Sequence, residues 1–236
     1  MHYDACLFDM DGVVIDTHQA VTAFWTGFAA ARGVALTPED FSRHIYGVPG
    51  AQTLGVLFPD LTPGERAAAL DHMQAVETAQ TYVPVTGVLA FLRALRERGI
   101  PAALVTSGDA WKIREVGAQL GLDGLFAATV THEDVARGKP APECYRLAAE
   151  RLGVAPERCI AFEDSLSGVA AAVASGALTV GVSPAGGAAL LERGACHVIR
   201  DFSPGSVRLL EPGAAALHSG RVLALRRGCG LALLPS

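Results

Sequence analysis

Residues 5 to 16 of the chain read ACLFDMDGVVID, and this stretch predicts the fold. Its first four residues are apolar, as in a short strand that is buried on both faces of a parallel sheet. Asp9, Asp11 and Gly12 follow at once. Polar residues just beyond the carboxyl end of such a strand lie where open α/β sheets bind ligands. The same pair of acids could also serve only to cap a turn.

Downstream, short apolar runs alternate with longer amphipathic segments, which is the order expected of a doubly wound parallel sheet. Strands are predicted at 5–8, 102–106, 127–130, 159–162, 178–182 and 196–199. Helices are predicted between them at 88–98, 110–120, 142–152 and 167–175, each followed within a few residues by a glycine of the kind that ends helices. The fold class is therefore α/β.

The segment between the first two predicted strands breaks this alternation. Its apolar residues recur at helical spacing, and TPE at 37–39 and TPGE at 62–65 are typical helix starts. We therefore predict a Rossmann-like core of residues 1–16 and 85–204, interrupted by a helical bundle at 17–84. In residues 205–236, turn signals and two short β-like runs around 220–221 indicate an edge hairpin of the core.

The composition argues against several classes of protein. The 236 residues include 19 Lys and Arg against 24 Asp and Glu, with no basic block long enough to track a nucleic-acid backbone. Five cysteines without C-x-x-C spacing indicate neither a disulfide framework nor a thiolate metal site. No apolar run reaches the roughly 18 to 20 residues that span a bilayer, and no basic segment marks a signal peptide. We expect a cytoplasmic protein.

Acidic residues also follow the fourth predicted strand. Glu163 and Asp164 come directly after 159–162, so that they and the pair Asp9 and Asp11 would meet at one edge of the sheet. Four clustered carboxylates are costly unless a cation lies among them. Because the ligands are all oxygens and no Cys/His cluster accompanies them, Mg²⁺ is favoured over zinc. The alternative for the second pair is an N-cap on the next helix.

Two further motifs carry groups suited to a phosphate. The second strand ends in Thr106, Ser107 and Gly108, whose hydroxyls and N–H groups could bind a phosphoryl group, although such residues are also common in ordinary turns. Lys139 precedes a helix that begins with proline, and the only other lysine among the 19 cationic residues is Lys112. The Lys139 ammonium could neutralise a carboxylate or a transferring phosphoryl group, or it could be solvated at the surface.

In this order the four motifs resemble those of the haloacid dehalogenase (HAD) superfamily of phosphotransferases. The motifs are DMDG at 9–12, Thr106, GKPAP at 138–142 and FEDS at 162–165, and the resemblance covers about residues 4 to 202. It implies a Rossmann-like HAD core with an inserted helical cap. It also implies a Mg²⁺-dependent phosphatase that hydrolyses a small phosphorylated metabolite, such as a sugar or polyol phosphate, through an aspartyl-phosphate. The alternatives are a β-phosphoglucomutase-like phosphomutase, a phosphoglycolate-type phosphatase and a catalytically idle binding protein.

The resemblance also implies a role for each motif. Asp9 would be the nucleophile and Asp11 the acid and base, with Thr106 and Lys139 completing the catalytic set. The metal ligands would be Asp9, the main-chain carbonyl of Asp11, Asp164 and, directly or through water, Glu163. The substrate contacts would be Gly12, Thr106, Ser107, Gly108, Lys139, Gly47 and His44.

The cap departs from the pattern of these relatives. Residues 46–54, YGVPGAQTL, resemble the cap loop that contacts substrate in sugar-phosphate phosphatases and β-phosphoglucomutase, but Val48 and Pro49 stand where those relatives usually carry Arg or Lys. The remaining cationic candidates of the cap are Arg32, Arg43, Arg66, His18, His44 and His72, and the histidines could equally be ordinary surface residues. A mutase must bind a second phosphate in the cap, so the missing cation favours hydrolysis. We expect a small phosphorylated metabolite as the partner, no nucleic acid or membrane, and a monomer or weak homodimer.

Overall fold

The computed structural model describes residues 2–184, 186–210, 221–225 and 230–234. The described strands are β1 (His2–Tyr3), β2 (Ala5–Phe8), β3 (Ala102–Val105), β4 (Ala128–Val130), β5 (Cys159–Glu163), β6 (Leu178–Val182), β7 (His197–Ile199), β8 (Val207–Leu210), β9 (Arg221–Leu225) and β10 (Gly230–Leu233). The described α-helices are α1 (His18–Ala30), α2 (Pro38–Asp40), α3 (Gly50–Leu57), α4 (Pro63–Thr78), α5 (Val88–Glu97), α6 (Ala110–Leu120), α7 (Glu143–Arg151), α8 (Leu166–Ser175) and α9 (Ala188–Glu192). A π-helical turn, Phe41–Ile45, continues α2.

Six of these strands form one parallel sheet in the order β4-β3-β2-β5-β6-β7. The chain runs outward from β2 to β4 on one side and then crosses back to β5 and runs outward to β7. The predicted doubly wound sheet is thereby confirmed. The strand order reverses between β2 and β5, and in folds of this kind ligands bind beyond the carboxyl ends of the strands at that point.

Residues of β2 alternate between two hydrophobic clusters. Cys6 and Phe8 pack with α5 on one face, while Ala5 and Leu7 pack with α7 and α8 on the other. Successive side chains of a strand point to opposite faces, so both faces of the sheet are covered. This double burial explains why the strands read as continuous apolar runs. The parallel register with β3 and β5 brings the three carboxyl ends to one edge.

The helical insertion, which consists of α1 to α4 and the π-helical turn, lies between β2 and α5 in the chain. It has a hydrophobic cluster of its own, with Trp25, Ala29, Ile45, Leu54, Phe58 and Ala69 as the buried members. Thr37 and Thr62 each cap a helix through reciprocal hydrogen bonds with the acid three residues later, as the sequence signals predict. The boundaries of core and cap remain a prediction, which the separate cluster supports.

The C-terminal strands form a second sheet with β1, in the order β1-β9-β10-β8. The prediction of an edge hairpin on the core is therefore wrong, since none of these described strands extends the six-stranded sheet. Val207, Leu231 and Leu233 are buried in the same cluster as Phe8, so this segment covers a face of the main sheet. The sequence did not indicate β1, which pairs in parallel with β9. The turn expected around 220–221 lies partly outside the described residues.

The longest of the described helices is α4, with 16 residues. Spanning a bilayer takes about 20 predominantly apolar residues. Within the described ranges, no helix has the length and apolar character that a membrane crossing requires.

Candidate active site

The carboxyl ends of β2, β3 and β5 bring the predicted acids and hydroxyls together. Asp9 follows β2, Thr106 follows β3, Glu163 is the last residue of β5, and Asp164 comes next. Because the three strands are neighbours, all four residues lie at one edge of the sheet. One carboxylate oxygen from each of Asp9, Glu163 and Asp164 lies within 4.8 Å of the other two.

Lys139 lies buried between two of these acids. Its Nζ donates to Oδ1 of Asp9 at 2.5 Å, to Oε1 of Glu163 at 2.6 Å and to the carbonyl of Val105 at 3.2 Å. Only 4% of the residue is exposed. Burial alone would lower the pKa of Lys139, but the carboxylates of Asp9 and Glu163 raise it above its ordinary value. Lys139 is therefore a buried cation of the site and not a solvated surface lysine.

Glu163 is fully buried, and both of its carboxylate oxygens accept hydrogen bonds. Oε1 accepts from the Tyr145 hydroxyl at 2.7 Å as well as from Lys139. Oε2 accepts from the main-chain N–H of Asp164 at 3.1 Å, and from the N–H and hydroxyl of Ser165 at 3.2 and 3.1 Å. These five donors compete with a metal for the lone pairs of Glu163, so they favour contact through water over direct ligation, and the predicted metal contact of Glu163 stays a prediction. No sequence motif indicated Tyr145.

Asp164 is packed against the loop that follows Asp9. Gly12 in that loop has a φ of +74°, and a Cβ there would lie 1.9 Å from Oδ2 of Asp164. Gly12 is thus required for the placement of Asp164. The resemblance had implied a different role for Gly12, a contact with substrate. Burial, followed by the charges of Asp9 and Glu163, raises the pKa of Asp164 well above its ordinary value. Burial also raises the pKa of Asp9 to about 7, although Lys139 lowers it.

Asp11 is held by two donors. Its Oδ1 accepts hydrogen bonds from Oγ1 of Thr17 and Nζ of Lys112, each at 2.8 Å. Lys112 is 6% exposed and also donates to Oε1 of Glu77 on α4 at 3.3 Å. Burial alone would lower the pKa of Lys112, but the carboxylates of Asp11 and Glu77 raise it. Sequence reasoning assigned Lys112 no role, and its only signal was the rarity of lysine in this chain.

A cavity of about 260 Å³ is lined by Asp9 and Asp11 on the sheet side and by residues of the helical insertion opposite. Among its described lining residues, Lys112 is the only lysine or arginine. Asp71 and Asp109 add further acids to the lining. The space above the predicted nucleophile is therefore short of free positive charge.

A second cavity, of about 560 Å³, adjoins the first, and His18 and Asp164 line both. Its lining contains the exposed Arg200 but neither Asp9 nor Asp11. The two carboxylates that would carry out the chemistry therefore lie at the smaller cavity.

The loop after β3 meets the helical insertion at this site. Ser107 and Gly108 line the cavity, while the nearly buried Thr106 accepts a hydrogen bond from the N–H of Gly108 at 2.9 Å. Gly47 also lines the cavity, and its carbonyl accepts from Oγ of Ser107 at 3.3 Å and of Ser167 at 3.4 Å. The predicted loop of the insertion therefore reaches the sheet edge.

Of the predicted cationic residues of the insertion, only His18 lines the smaller cavity within the described structure. His44 is not among the described residues that line this cavity, whereas its neighbour Ile45 is, so the contact of His44 with substrate stays a prediction. The His18 ring stacks on Tyr46, with 4.2 Å between the ring centroids.

Residues 3–176 match the model of the haloacid dehalogenase-like hydrolases. The chain belongs to this family. The HAD membership, fold and hydrolase class that the four motifs imply are thereby confirmed.

The relatives in the HAD family include proteins named as phosphatases and proteins named as phosphoglucomutases. Hexitol phosphatase A of Escherichia coli is 36% identical over 218 residues, which cover 90% of this chain and 89% of that protein. Beta-phosphoglucomutase of Mycobacterium bovis is 32% identical in an alignment that covers 84% of this chain and 90% of that protein. A solved HAD family hydrolase from Deinococcus radiodurans, with bound phosphate and sodium, is 31% identical with a TM-score of 0.64, over 83% of this chain and 90% of that one.

Proposed function

We propose that this HAD hydrolase is a Mg²⁺-dependent phosphatase that hydrolyses the phosphate monoester of a sugar or polyol through an aspartyl-phosphate. The observation that carries the proposal is the position of Asp9, whose Oδ1 accepts a hydrogen bond from Nζ of the buried Lys139 at 2.5 Å. Asp11, the second aspartate of the motif, lines the same cavity as Asp9. The substrate class is supported by the names of two relatives, hexitol phosphatase A and, at 34% identity, the phosphorylated carbohydrates phosphatase of Thermotoga maritima.

The acids at the sheet edge fit a divalent cation. Asp9 and Asp164 would supply carboxylate oxygens and Asp11 its main-chain carbonyl, a donor set of the kind that Mg²⁺ prefers. The raised pKa values of Asp9 and Asp164 reflect burial and repulsion by neighbouring carboxylates, and a cation at this edge would offset that repulsion. When bound, Mg²⁺ would supply positive charge to the oxygens of the phosphoryl group.

The two aspartates have different roles in the proposed reaction. A carboxylate oxygen of Asp9 bonds to phosphorus while the bond from phosphorus to the sugar oxygen breaks, and Asp11 gives its proton to that oxygen. Water then attacks the phosphorus of the aspartyl-phosphate and loses a proton to Asp11, and Asp9 departs as a carboxylate. Thr106 and Ser107 would hold the phosphoryl group, and Lys139 would stabilise the charge that develops.

A phosphomutase is the second candidate, because beta-phosphoglucomutase of Mycobacterium bovis is among the relatives. A mutase has to hold a bisphosphate and so needs a cation for the second phosphate. The cationic side chain of the cavity lining, Lys112, is already paired with Asp11 and Glu77, and Asp71 and Asp109 would repel a second phosphate. This distribution of charge supports hydrolysis.

The proposal is tested by measuring phosphate release in the presence of Mg²⁺. The substrates are sorbitol 6-phosphate, mannitol 1-phosphate, glucose 6-phosphate, β-glucose 1-phosphate and 2-phosphoglycolate. We expect the highest kcat/KM on a sugar or polyol phosphate, loss of activity in EDTA and recovery with added Mg²⁺. Asp9→Asn should lower kcat at least about 1,000-fold because the nucleophile is removed. Asp123→Asn, at an exposed acid away from the cavity, is the matched control.

Two results would contradict the proposal. Phosphate release that survives Asp9→Asn or is indifferent to EDTA would exclude the mechanism. Conversion of β-glucose 1-phosphate to glucose 6-phosphate without net phosphate release would favour the mutase.

A further inference from the structure

We infer that Lys112 is a positioning residue for proton transfer by Asp11, and that Glu77 of the helical insertion holds the Lys112 ammonium in place for this purpose. The inference rests on the proposed function, in which Asp11 protonates the leaving group.

The geometry around Asp11 supports an orienting role. Thr17 and Lys112 both donate to the same oxygen, Oδ1, at 2.8 Å. No hydrogen bond from the described residues reaches Oδ2. Two donors on one oxygen fix the plane of the carboxylate and leave Oδ2 available for the proton transfer.

The charges in this cluster support the same role. A buried ammonium is tolerated only with hydrogen-bonded partners of opposite charge, and Lys112 has two, Asp11 at 2.8 Å and Glu77 at 3.3 Å. Since Glu77 balances the positive charge, Asp11 gains a strong donor without facing an uncompensated cation. The side chain of Lys112 is only 8% exposed, so water does not compete for these contacts.

The cluster joins three parts of the fold. Asp11 lies in the loop after β2, Lys112 on the first turn of α6 and Glu77 near the end of α4. The orientation of Asp11 therefore depends on α4 of the insertion being seated on the core.

A second link joins α6 to the segment that follows α4, and it provides a control because its role is only structural. Gln119, two turns further along α6, accepts from the N–H of Tyr82 at 3.0 Å and donates to the carbonyl of Gln80 at 3.2 Å. It ties α6 to the segment after α4 without contacting Asp11.

The test compares two leaving groups. The best alkyl phosphate of the panel, with sorbitol 6-phosphate as the first choice, releases an alkoxide that needs a proton, whereas 4-nitrophenyl phosphate releases a stable anion. The value of kcat/KM reports only the steps up to the first irreversible one, which include departure of the leaving group.

We expect Lys112→Met to lower kcat/KM for the alkyl phosphate at least about 30-fold, mainly through kcat, and for 4-nitrophenyl phosphate by no more than about threefold. Asp11→Asn should show the same selectivity at larger amplitude. Lys112→Arg should recover part of the loss, since a cationic donor is retained. Gln119→Leu should change both substrates by the same small factor.

An equal loss on both substrates, or a change confined to KM, would overturn the inference. If Lys112→Met does not fold, Glu77→Gln decides: we expect a several-fold loss for the alkyl phosphate alone, and no change would contradict the role. Failure of the proposed function is distinguishable, because it would appear in the wild-type enzyme as release that is absent or independent of Asp9.

Discussion

The two lysines of this chain are both buried at one edge of the main sheet, among 19 cationic residues. Lys139 bridges Asp9 and Glu163, and Lys112 bridges Asp11 and Glu77. A compact ammonium can donate in three directions within a confined space, whereas the planar fork of arginine needs acceptors in one plane. Both lysines therefore stand at positions that need a point charge.

Replacing Gly12 should disturb the proposed metal site through its neighbour Asp164. In Gly12→Ala, the new Cβ would displace the carboxylate of Asp164 and strain a backbone at φ +74°. We expect kcat/KM to fall at least about 100-fold. We also expect the affinity for Mg²⁺, measured by calorimetry, to decrease. Gly117→Ala is the control, because that glycine lies within α6 with no atom near a new Cβ. Wild-type activity in Gly12→Ala would contradict the placement of Asp164.

Tyr145 should contribute to stability through Glu163. Tyr145→Phe removes the hydroxyl that donates to Oε1 at 2.7 Å in a fully buried position. We expect the free energy of unfolding in urea to fall by about 1 to 3 kcal/mol, because the acceptor is charged. Tyr46→Phe, which removes a partly buried bond to Thr22, should cost less. Equal losses in the two variants would argue against the charged partner.

At the scale of elements, the start of α8 decides between the two alternatives that the sequence left for the acids at the end of β5. Ser165 caps the helix by accepting from the N–H of Gly168 at 3.0 Å, and its hydroxyl also donates to Glu163. A Cβ on Gly168 would lie 1.8 Å from Oε1 of Glu163, so the helix approaches as closely as glycine permits. The alternative that Glu163 and Asp164 cap this helix is therefore wrong, because Ser165 is the N-cap and Glu163 instead binds its hydroxyl.

The helix that carries Glu77 depends on the cap at Thr62. The hydroxyl of Thr62 accepts from the N–H of Glu65 at 3.3 Å, and its N–H donates to the Glu65 carboxylate at 2.8 Å. We expect Thr62→Ala to lower the free energy of unfolding by about 1 kcal/mol, measured by chemical denaturation. Thr62→Ser keeps the hydroxyl and should be close to wild type. A loss of the same size with serine would show that the cap is not the cause.

At the scale of the whole molecule, the second sheet completes the core. Leu231 is fully buried in the cluster that contains Phe8, so Leu231→Ala would leave a cavity under the main sheet. We expect a loss of about 2 to 5 kcal/mol in the free energy of unfolding. Leu191→Ala removes the same atoms from a residue that is 48% exposed and should cost far less. Similar losses at the two positions would contradict the packing of the C-terminal strands on the core.

The sequence by itself determined the six strands of the main sheet, the helical insertion and the acids at the sheet edge. Those features are local, because an apolar run, a helical repeat or a Thr-Pro start is encoded within a few neighbouring residues. The fold class and the candidate catalytic pair, Asp9 and Asp11, could therefore be predicted.

Only the tertiary structure decided which side chains meet. Lys112 and Asp11 are 101 residues apart in the chain, and Lys139 and Asp9 are 130 apart. Tyr145 and Glu77 carry no local signal, and the hydrogen bonds that occupy Glu163 depend on how α7 and α8 pack. The second sheet likewise joins the first residues of the chain to the last strands. Such contacts arise from the packing of distant elements, so no short stretch of sequence encodes them.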